Sequence, residues 1–399
     1  MSPTSTSRPT IRLLPGHDKR AAFGHPWVYS NEIAMDVAAK ALTPGSLVAL
    51  ATASGKALGV ATFNPHTLVA ARILQRDPAA RIDRDFFAAR LERALALRHR
   101  LYPEPYYRLI HAEADGLPGI VLDRFGDVLS CQINTAGMAL LQEEFLAACH
   151  AVLAPRTIVL RNDTAARVLE GLAGEDRVTF GNIAPPVEIV ENGARFAIDP
   201  LGGQKTGWFY DQRENRRLAS RFAAGARVLD LYCFGGGFGI LAALSGADQV
   251  LAVDRSEAAL ALAATSAALN GVAARCRFAR GDAFDELERL HGQGERFDLV
   301  IADPPAFARA KKDLGPALRG YRKLARMSAA LVAKGGALLV ASCSHQVETD
   351  AFAEAVSRGL ADAQREGRIV ASTGAAPDHP VHPLLPESAY LKAQMLVLD

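Results

Sequence analysis

The stretch ARVLDLYCFGGGFGILAALSGADQVLAVD, residues 226–254, decides how the chain is read. It opens on an apolar run, residues 228–231, that predicts a buried strand. A glycine-rich turn follows, Gly235-Gly236-Gly237-Phe238-Gly239. A helix is expected from Ile240, then a second apolar strand over residues 250–253 that ends on Asp254. This is one strand–turn–helix–strand unit of a doubly wound sheet, whose ligand crevice lies at the carboxyl ends of its strands. The glycines let a ligand approach the backbone where a Cβ would intrude.

Two ligand classes share that geometry. Gly237-x-Gly239-x-x-Ala242 formally fits a dinucleotide fingerprint with an acid later in the unit. Two features pull the reading toward S-adenosylmethionine instead. Asp230 lies inside the first strand, where it can hold the amino group of an amino-acid-bearing nucleoside. A later strand runs into Asp303-Pro304-Pro305. Phe234, Gly235 and Gly237 then line the cofactor, Asp254 takes its ribose hydroxyls, and Asp282, at the next strand end, faces the adenine amino group.

At 399 residues the chain is long enough for two or three domains. It is 49% hydrophobic and 22% charged, with a net charge of +2, so no global charge excess points to nucleic acid. The distribution says more, because residues 1–76 hold eight Lys or Arg against three acids. A locally basic module is the usual footprint of phosphate contacts. The five cysteines, 131, 149, 233, 276 and 343, are odd in number and show no CxxC pairing. That argues against a disulfide framework and a structural zinc site, and free thiols fit a cytoplasmic location. No metal is expected. The first ten residues lack the apolar core of a signal peptide, and no apolar run is long enough to span a bilayer.

Residues 1–10 are expected to form a disordered tail. Residues 11–76 carry short apolar segments separated by Pro44-Gly45, Ser54-Gly55 and Asn64-Pro65. That pattern predicts a small β barrel or meander. With the segment HPWVYS at 25–30 it resembles a PUA domain, a small RNA-binding barrel. Residues 77–180 read as a central α+β module, in which His111, Glu113 and Asp115 alternate as on one face of a strand. Residues 181–399 read as the α/β domain, with an Asn192-Gly193 hairpin turn near its start. Next comes GGQKTGWFYDQRENRRL, where Lys205, Thr206, Phe209, Asp211 and Arg213 precede or open a helix and can lid the cofactor. Strands alternate with helices from there on, predicting a parallel sheet.

The glycine loop, Asp254, Asp282, and Asp303 with Cys343 fall at successive strand ends. Cys343 stands in a polar exit, Ser342-Cys343-Ser344-His345. Carbon 5 of cytosine is too weak a nucleophile to attack a methyl sulfonium. A thiolate adding to carbon 6 turns the ring into an enamine and activates carbon 5. Asp303 can hold the N3/N4 edge of such a base, and His345 is placed to assist the thiol only if the chain does not turn.

Together DLYCFGGGFG, DPPAFARAKKDL, GYRKL, SCSH, QKTGWFYDQRENR and HPWVYS resemble the RlmI family, bacterial cytosine-5 methyltransferases of large-subunit ribosomal RNA. The resemblance runs from about residue 10 to the end. It implies a Rossmann-like class I methyltransferase domain preceded by a small α+β domain and a PUA-like barrel. It also implies S-adenosylmethionine as cofactor, 23S ribosomal RNA as partner and Cys343 as nucleophile. Many cytosine-5 RNA methyltransferases carry a second cysteine after the motif proline, and Asp303-Pro304-Pro305-Ala306 has none. Release of the adduct must therefore use another base, and a homodimer is among the expected partners. Two rivals stand beside this reading. An amine methyltransferase using Asp-Pro-Pro would survive loss of Cys343, and a non-catalytic RNA-binding module would fail to bind the cofactor.

Overall fold

The computed structural model describes residues 8–203, 206–308 and 310–399. They divide into two units, one within residues 8–183 with 380–386 and the other within residues 184–379 with 387–399.

In the first unit, β1 (Thr10–Arg12), β2 (Trp27–Tyr29), β3 (Ser46–Ala51), β4 (Ala57–Phe63) and β5 (Val69–Gln75) form one sheet in the order β1-β3-β4-β5-β2. Two short helices, α1 (Lys19–Phe23) and α2 (Val37–Lys40), add Ala21 and Ala39 to its core. Val28, Val48, Leu50, Ala61 and Phe63 are buried in its core. Thr10 already pairs with Ala49, so the expected tail ends sooner than its proposed boundary. Its first seven residues lie outside the described ones.

The same unit continues with α3 (Arg84–Leu101) against a second sheet of β6 (Tyr106–His111), β7 (Ile120–Phe125), β8 (Val128–Ile133), β9 (Thr157–Arg161) and β10 (Asp176–Phe180). Helices α4 (Ala136–Leu140), α5 (Gln142–Leu153) and α6 (Ala165–Leu169) complete it. Val60 and Leu74 of the first sheet belong to the core of this second module. Arg72 also pairs with Glu170 at 2.8 Å. His111, Glu113 and Asp115 do not share a strand face, because residues 112–115 turn into a 3-10 helix. Asp115 there takes a bidentate contact from buried Arg98 at 2.7 and 2.8 Å.

The second unit opens with the hairpin β11 (Val187–Glu191) and β12 (Ala194–Ile198). Asn192 (φ 53°) and Gly193 (φ 78°) make its turn, both in the left-handed region that such a two-residue turn requires. Then come α7 (Arg213–Ser220), β13 (Arg227–Leu231), α8 (Gly237–Leu244), β14 (Gln249–Asp254), α9 (Glu257–Leu269) and β15 (Cys276–Arg280). The chain goes on through α10 (Ala283–Gly292), β16 (Phe297–Ala302), α11 (Leu314–Leu331), β17 (Val332–Ser342), α12 (Thr349–Asp362), β18 (Gly367–Thr373) and β19 (Lys392–Leu398). The sheet order is β15-β14-β13-β16-β17-β19-β18. Val228, Leu229, Leu231, Leu299, Val300 and Ile301 are fully buried, as central parallel strands covered on both faces must be. The expected parallel sheet is a mixed one. β13 to β17 run parallel, while β19 runs antiparallel to both β17 and β18. Among the described residues no helix is long and apolar enough to cross a membrane.

Candidate active site

The segment between β13 and α8 holds two non-glycine residues in the left-handed region, Tyr232 (φ 60°) and Phe234 (φ 48°). Such a conformation costs an L-residue on the order of 1–2 kcal/mol. It persists because the loop is tied down on its neighbours. Cys233 N–H donates to Val253 O at 3.0 Å, and Phe234 N–H to Asp254 Oδ2 at 2.9 Å. Gly239 N–H donates to Asp230 Oδ2 at 2.8 Å. Asp254 Oδ1 also accepts from Ser256 N–H at 2.8 Å. The two carboxylates thus hold the glycine loop in shape at the carboxyl ends of β13 and β14.

Beneath that loop lies a charged and aromatic bed. A Cβ on Gly237 would stand 2.4 Å from Arg216 Nε, and one on Gly235 would stand 3.2 Å from the Trp208 ring. The Arg216 guanidinium covers Trp208 at 4.5 Å and pairs with Glu191 at 2.6 Å. Phe209 meets Phe234 edge-on at 5.0 Å. Asp230 Oδ1 and Arg216 Nε are buried and make no hydrogen bond among the described residues. A buried acceptor, a buried cationic donor and the first turn of α8 suit the ammonium and carboxylate of an amino-acid nucleoside. Burial, above all, pushes the Asp230 carboxyl up to about 7, with the Gly239 N–H opposing and Asp303 adding to the rise.

At the next strand end Asp282 caps α10, accepting from Phe284 N–H at 2.8 Å and Asp285 N–H at 3.2 Å, and it pairs with Arg255. Burial alone would raise its carboxyl, but these donors more than offset that and hold it below the usual range. An adenine amino group there would have to share a carboxylate that already serves the helix.

The other half of the site joins β16 and β17, whose ends lie side by side with Ala302 opposite Val340. Asp303 leaves β16 and accepts from Gln212 Nε2 at 2.8 Å. Gln212 Oε1 in turn accepts from Asn215 Nδ2 at 2.6 Å, and Asn215 Oδ1 from Thr373 Oγ1 at 2.6 Å. Cys343 leaves β17 half-buried, with its Sγ 3.9 Å from Pro304 O, the carbonyl next along from Asp303. The buried Tyr321 hydroxyl bridges Ser342 Oγ at 2.9 Å and Ser344 Oγ at 2.8 Å, fixing the residues on either side of the thiol. By contrast, burial pushes the Cys131, Cys149 and Cys233 thiols up, which makes them inert.

Comparison with known proteins settles which family this geometry represents. Residues 138–378 match the S-adenosylmethionine-dependent methyltransferase family, and residues 11–76 match the PUA-like domain. The chain is 38% identical to the ribosomal RNA large subunit methyltransferase I of Shewanella denitrificans, over 96% of its own length and 97% of that protein. It is 37% identical to the protein of the same name from Erwinia tasmaniensis, over 96% and 98%. The chain belongs to the ribosomal RNA large subunit methyltransferase I family. Its cofactor is S-adenosylmethionine, and its fold is the Rossmann-like methyltransferase fold preceded by a PUA-like domain. The fold agrees with two solved structures at 20% identity. One is a protein described as a methyltransferase, complexed with SAH, with a TM-score of 0.82 over 98% of this chain and all of that one. The other, with a TM-score of 0.81 over the same shares, is described as a methyltransferase from Streptococcus mutans.

Within this family fold, the loop residues Phe234, Gly235 and Gly237 gather with Asp230 and Asp254 as the strand pattern predicts. Lys205 lies outside the described residues. Thr206 is buried, and Asp211 accepts from the Tyr390 hydroxyl at 2.5 Å. Arg213 points to Glu191 at 3.4 Å and stacks on Tyr210. Arg216, three residues later, is the guanidinium that touches the glycine loop. His345 does not extend alongside the thiol. The chain turns, and its exposed ring stacks on Tyr390 at 5.0 Å. Gln212, Arg216, Tyr321 and Tyr390 were not singled out by sequence reasoning. The quoted segments QKTGWFYDQRENR and GYRKL contain the first three of them, but nothing in the sequence gives any of them a role.

Proposed function

We propose that the chain methylates carbon 5 of a cytosine in 23S ribosomal RNA, in the cytoplasm, through a covalent adduct on Cys343. The observation that carries this reading is the thiol of Cys343 lying 3.9 Å from the backbone carbonyl that follows Asp303. A methyltransferase acting on an exocyclic nitrogen needs the Asp-Pro-Pro exit but no thiol beside it. The names of the relatives support ribosomal RNA as the substrate, and the PUA-like domain supports an RNA partner.

The target base leaves its stack to reach the strand ends. Asp303, oriented by Gln212, holds the N3/N4 edge of the cytosine. The Cys343 thiolate adds to carbon 6, forming the C–S bond and sending the ring electron pair to carbon 5. S-adenosylmethionine, when bound, supplies an electrophilic methyl group. Asp230, Asp254 and Arg216 orient it through its ammonium, ribose and carboxylate. Carbon 5 would take that methyl group as its bond to the cofactor sulfur breaks, leaving S-adenosylhomocysteine; carbon 5 then gives up its proton to water, the C–H electron pair restores the ring double bond and the C6–S bond breaks, freeing Cys343 as the thiolate.

The test is the product. Unmodified large-subunit RNA is incubated with the protein and methyl-labelled cofactor, then digested to nucleosides. Label in 5-methylcytidine supports the reading. Label in an N-methylated nucleoside overturns it in favour of amine methylation.

A further inference from the structure

β19 is an interior strand, flanked by β17 and β18, and its residues Ala393, Met395, Leu396 and Leu398 are buried. Its first residue is a lysine. Lys392 pairs in register with Ser342, directly before the Cys343 exit, and is only 7% exposed. Among the described residues no carboxylate lies within ion-pair distance of its ammonium. A buried cation with no carboxylate partner carries a large desolvation cost, and such groups persist where they serve a purpose.

The ammonium has a defined setting. Nζ donates to Ser344 O at 2.8 Å and to Val347 O at 2.6 Å. These carbonyls bracket the turn that carries the chain away from Cys343. We propose that Lys392 is a positioning residue for the nucleophile: its ammonium, anchored on the Ser344 and Val347 carbonyls, fixes the turn after Cys343 and favours the thiolate. This rests on the reading of Cys343 as the nucleophile.

Among the described residues, the following groups near the thiol do not supply that cation. Pro304 O faces it from beyond the end of β16 and disfavours a negative sulfur, and the preceding Asp303 is a carboxylate that brings no positive charge. The Tyr321 hydroxyl, from α11, is spent on Ser342 and Ser344. Glu348, before α12, is anionic. His345, on the same turn, stacks on Tyr390. The coupling of Lys392 to its surroundings agrees. Burial, the largest influence, lowers its pKa, while Glu348 and the Cys343 thiolate act to raise it. Such an attraction is mutual: a thiolate that favours the charged lysine is itself favoured by it.

The experiment measures the pH dependence of Cys343 alkylation by iodoacetamide in the full chain, read on the Cys343 peptide by mass spectrometry. It needs neither RNA nor turnover. The parent should show a midpoint at least one pH unit below the ordinary thiol value of about 8.5. Lys392→Met should raise that midpoint by one unit or more, about a tenfold slower reaction at pH 7, and Lys392→Arg should restore most of it. A parent midpoint less than one unit below ~8.5 overturns the proposal without any variant. A folded Lys392→Met with the parent's midpoint overturns it too. Failure of the nucleophile reading itself shows elsewhere, as methyl transfer surviving in Cys343→Ala.

Discussion

Replacing Asp230 with asparagine should flatten the pH dependence of both stability and cofactor binding. The side chain is 1% exposed in the central strand, and burial, its largest influence, lifts the carboxyl from 3.8 to about 7. In the unfolded chain the proton leaves near 3.8. The folded protein therefore binds more protons across the window from about 4 to 7. Stability is highest below the unfolded value and is lost as pH rises through the folded one. A shift of about three units at ~1.4 kcal/mol each makes ~4 kcal/mol the upper bound of that loss. The substituted amide never ionises, yet its oxygen can still accept from Gly239 N–H. In urea unfolding without cofactor, the parent should lose stability between pH 5 and 7, while Asp230→Asn stays level. Cofactor binding runs the other way, because the ionised carboxylate is the form that holds the ammonium. Calorimetry with S-adenosylhomocysteine should show about tenfold tighter binding to the parent at pH 8 than at pH 6, and a smaller change in the variant. Parallel pH profiles for the two proteins in both measurements would refute the reasoning.

Three further outcomes are expected. Asp254→Ala loses the anchors of Phe234 and Ser256 along with the ribose contact, so S-adenosylhomocysteine should bind about 10–100-fold more weakly by calorimetry, ~1–3 kcal/mol. Gln212→Leu frees Asp303 from its 2.8 Å donor, and methyl transfer should slow by about tenfold or more, ~1–2 kcal/mol, with cofactor affinity unchanged. Lys19, Lys40 and Lys56 are exposed on the PUA-like domain, and changing all three to serine should weaken RNA binding and lower the slope of log affinity against log salt by up to about 3. Substitution is the cleaner probe here than deletion of residues 11–76, since Val60 and Leu74 belong to the core of the neighbouring module.

What was legible in the sequence was what local pattern carries. Apolar runs flanked by glycine and proline located β13, β14, β16 and β17, and their last residues located Asp254, Asp303 and Cys343. Asn192-Gly193 announced its hairpin. Direction was not legible for β19. Its closing apolar run, Met395 to Leu398, reads the same whether it runs with β17 or against it. Nor was β18, whose exposed residues 367–370 give no buried face to read. The supporting contacts were hidden for another reason. Gln212 reaches Asp303 across 91 positions, and Tyr390 reaches Asp211 across 179. No periodicity links residues so far apart. Arg213 and Arg216 sit in one polar helix start, and only the packing of Gly237 against the latter tells which of them borders the glycine loop.

The covalent step on Cys343 is the claim on which the rest depends. An RNA carrying 5-fluorocytosine at the target position, incubated with the parent and S-adenosylmethionine, offers carbon 5 no proton to lose. The parent should form a complex that survives denaturing electrophoresis and maps to the Cys343 peptide, and Cys343→Ala should form none. A parent that methylates the ordinary RNA but leaves no trapped complex on the fluorinated one would contradict the covalent route.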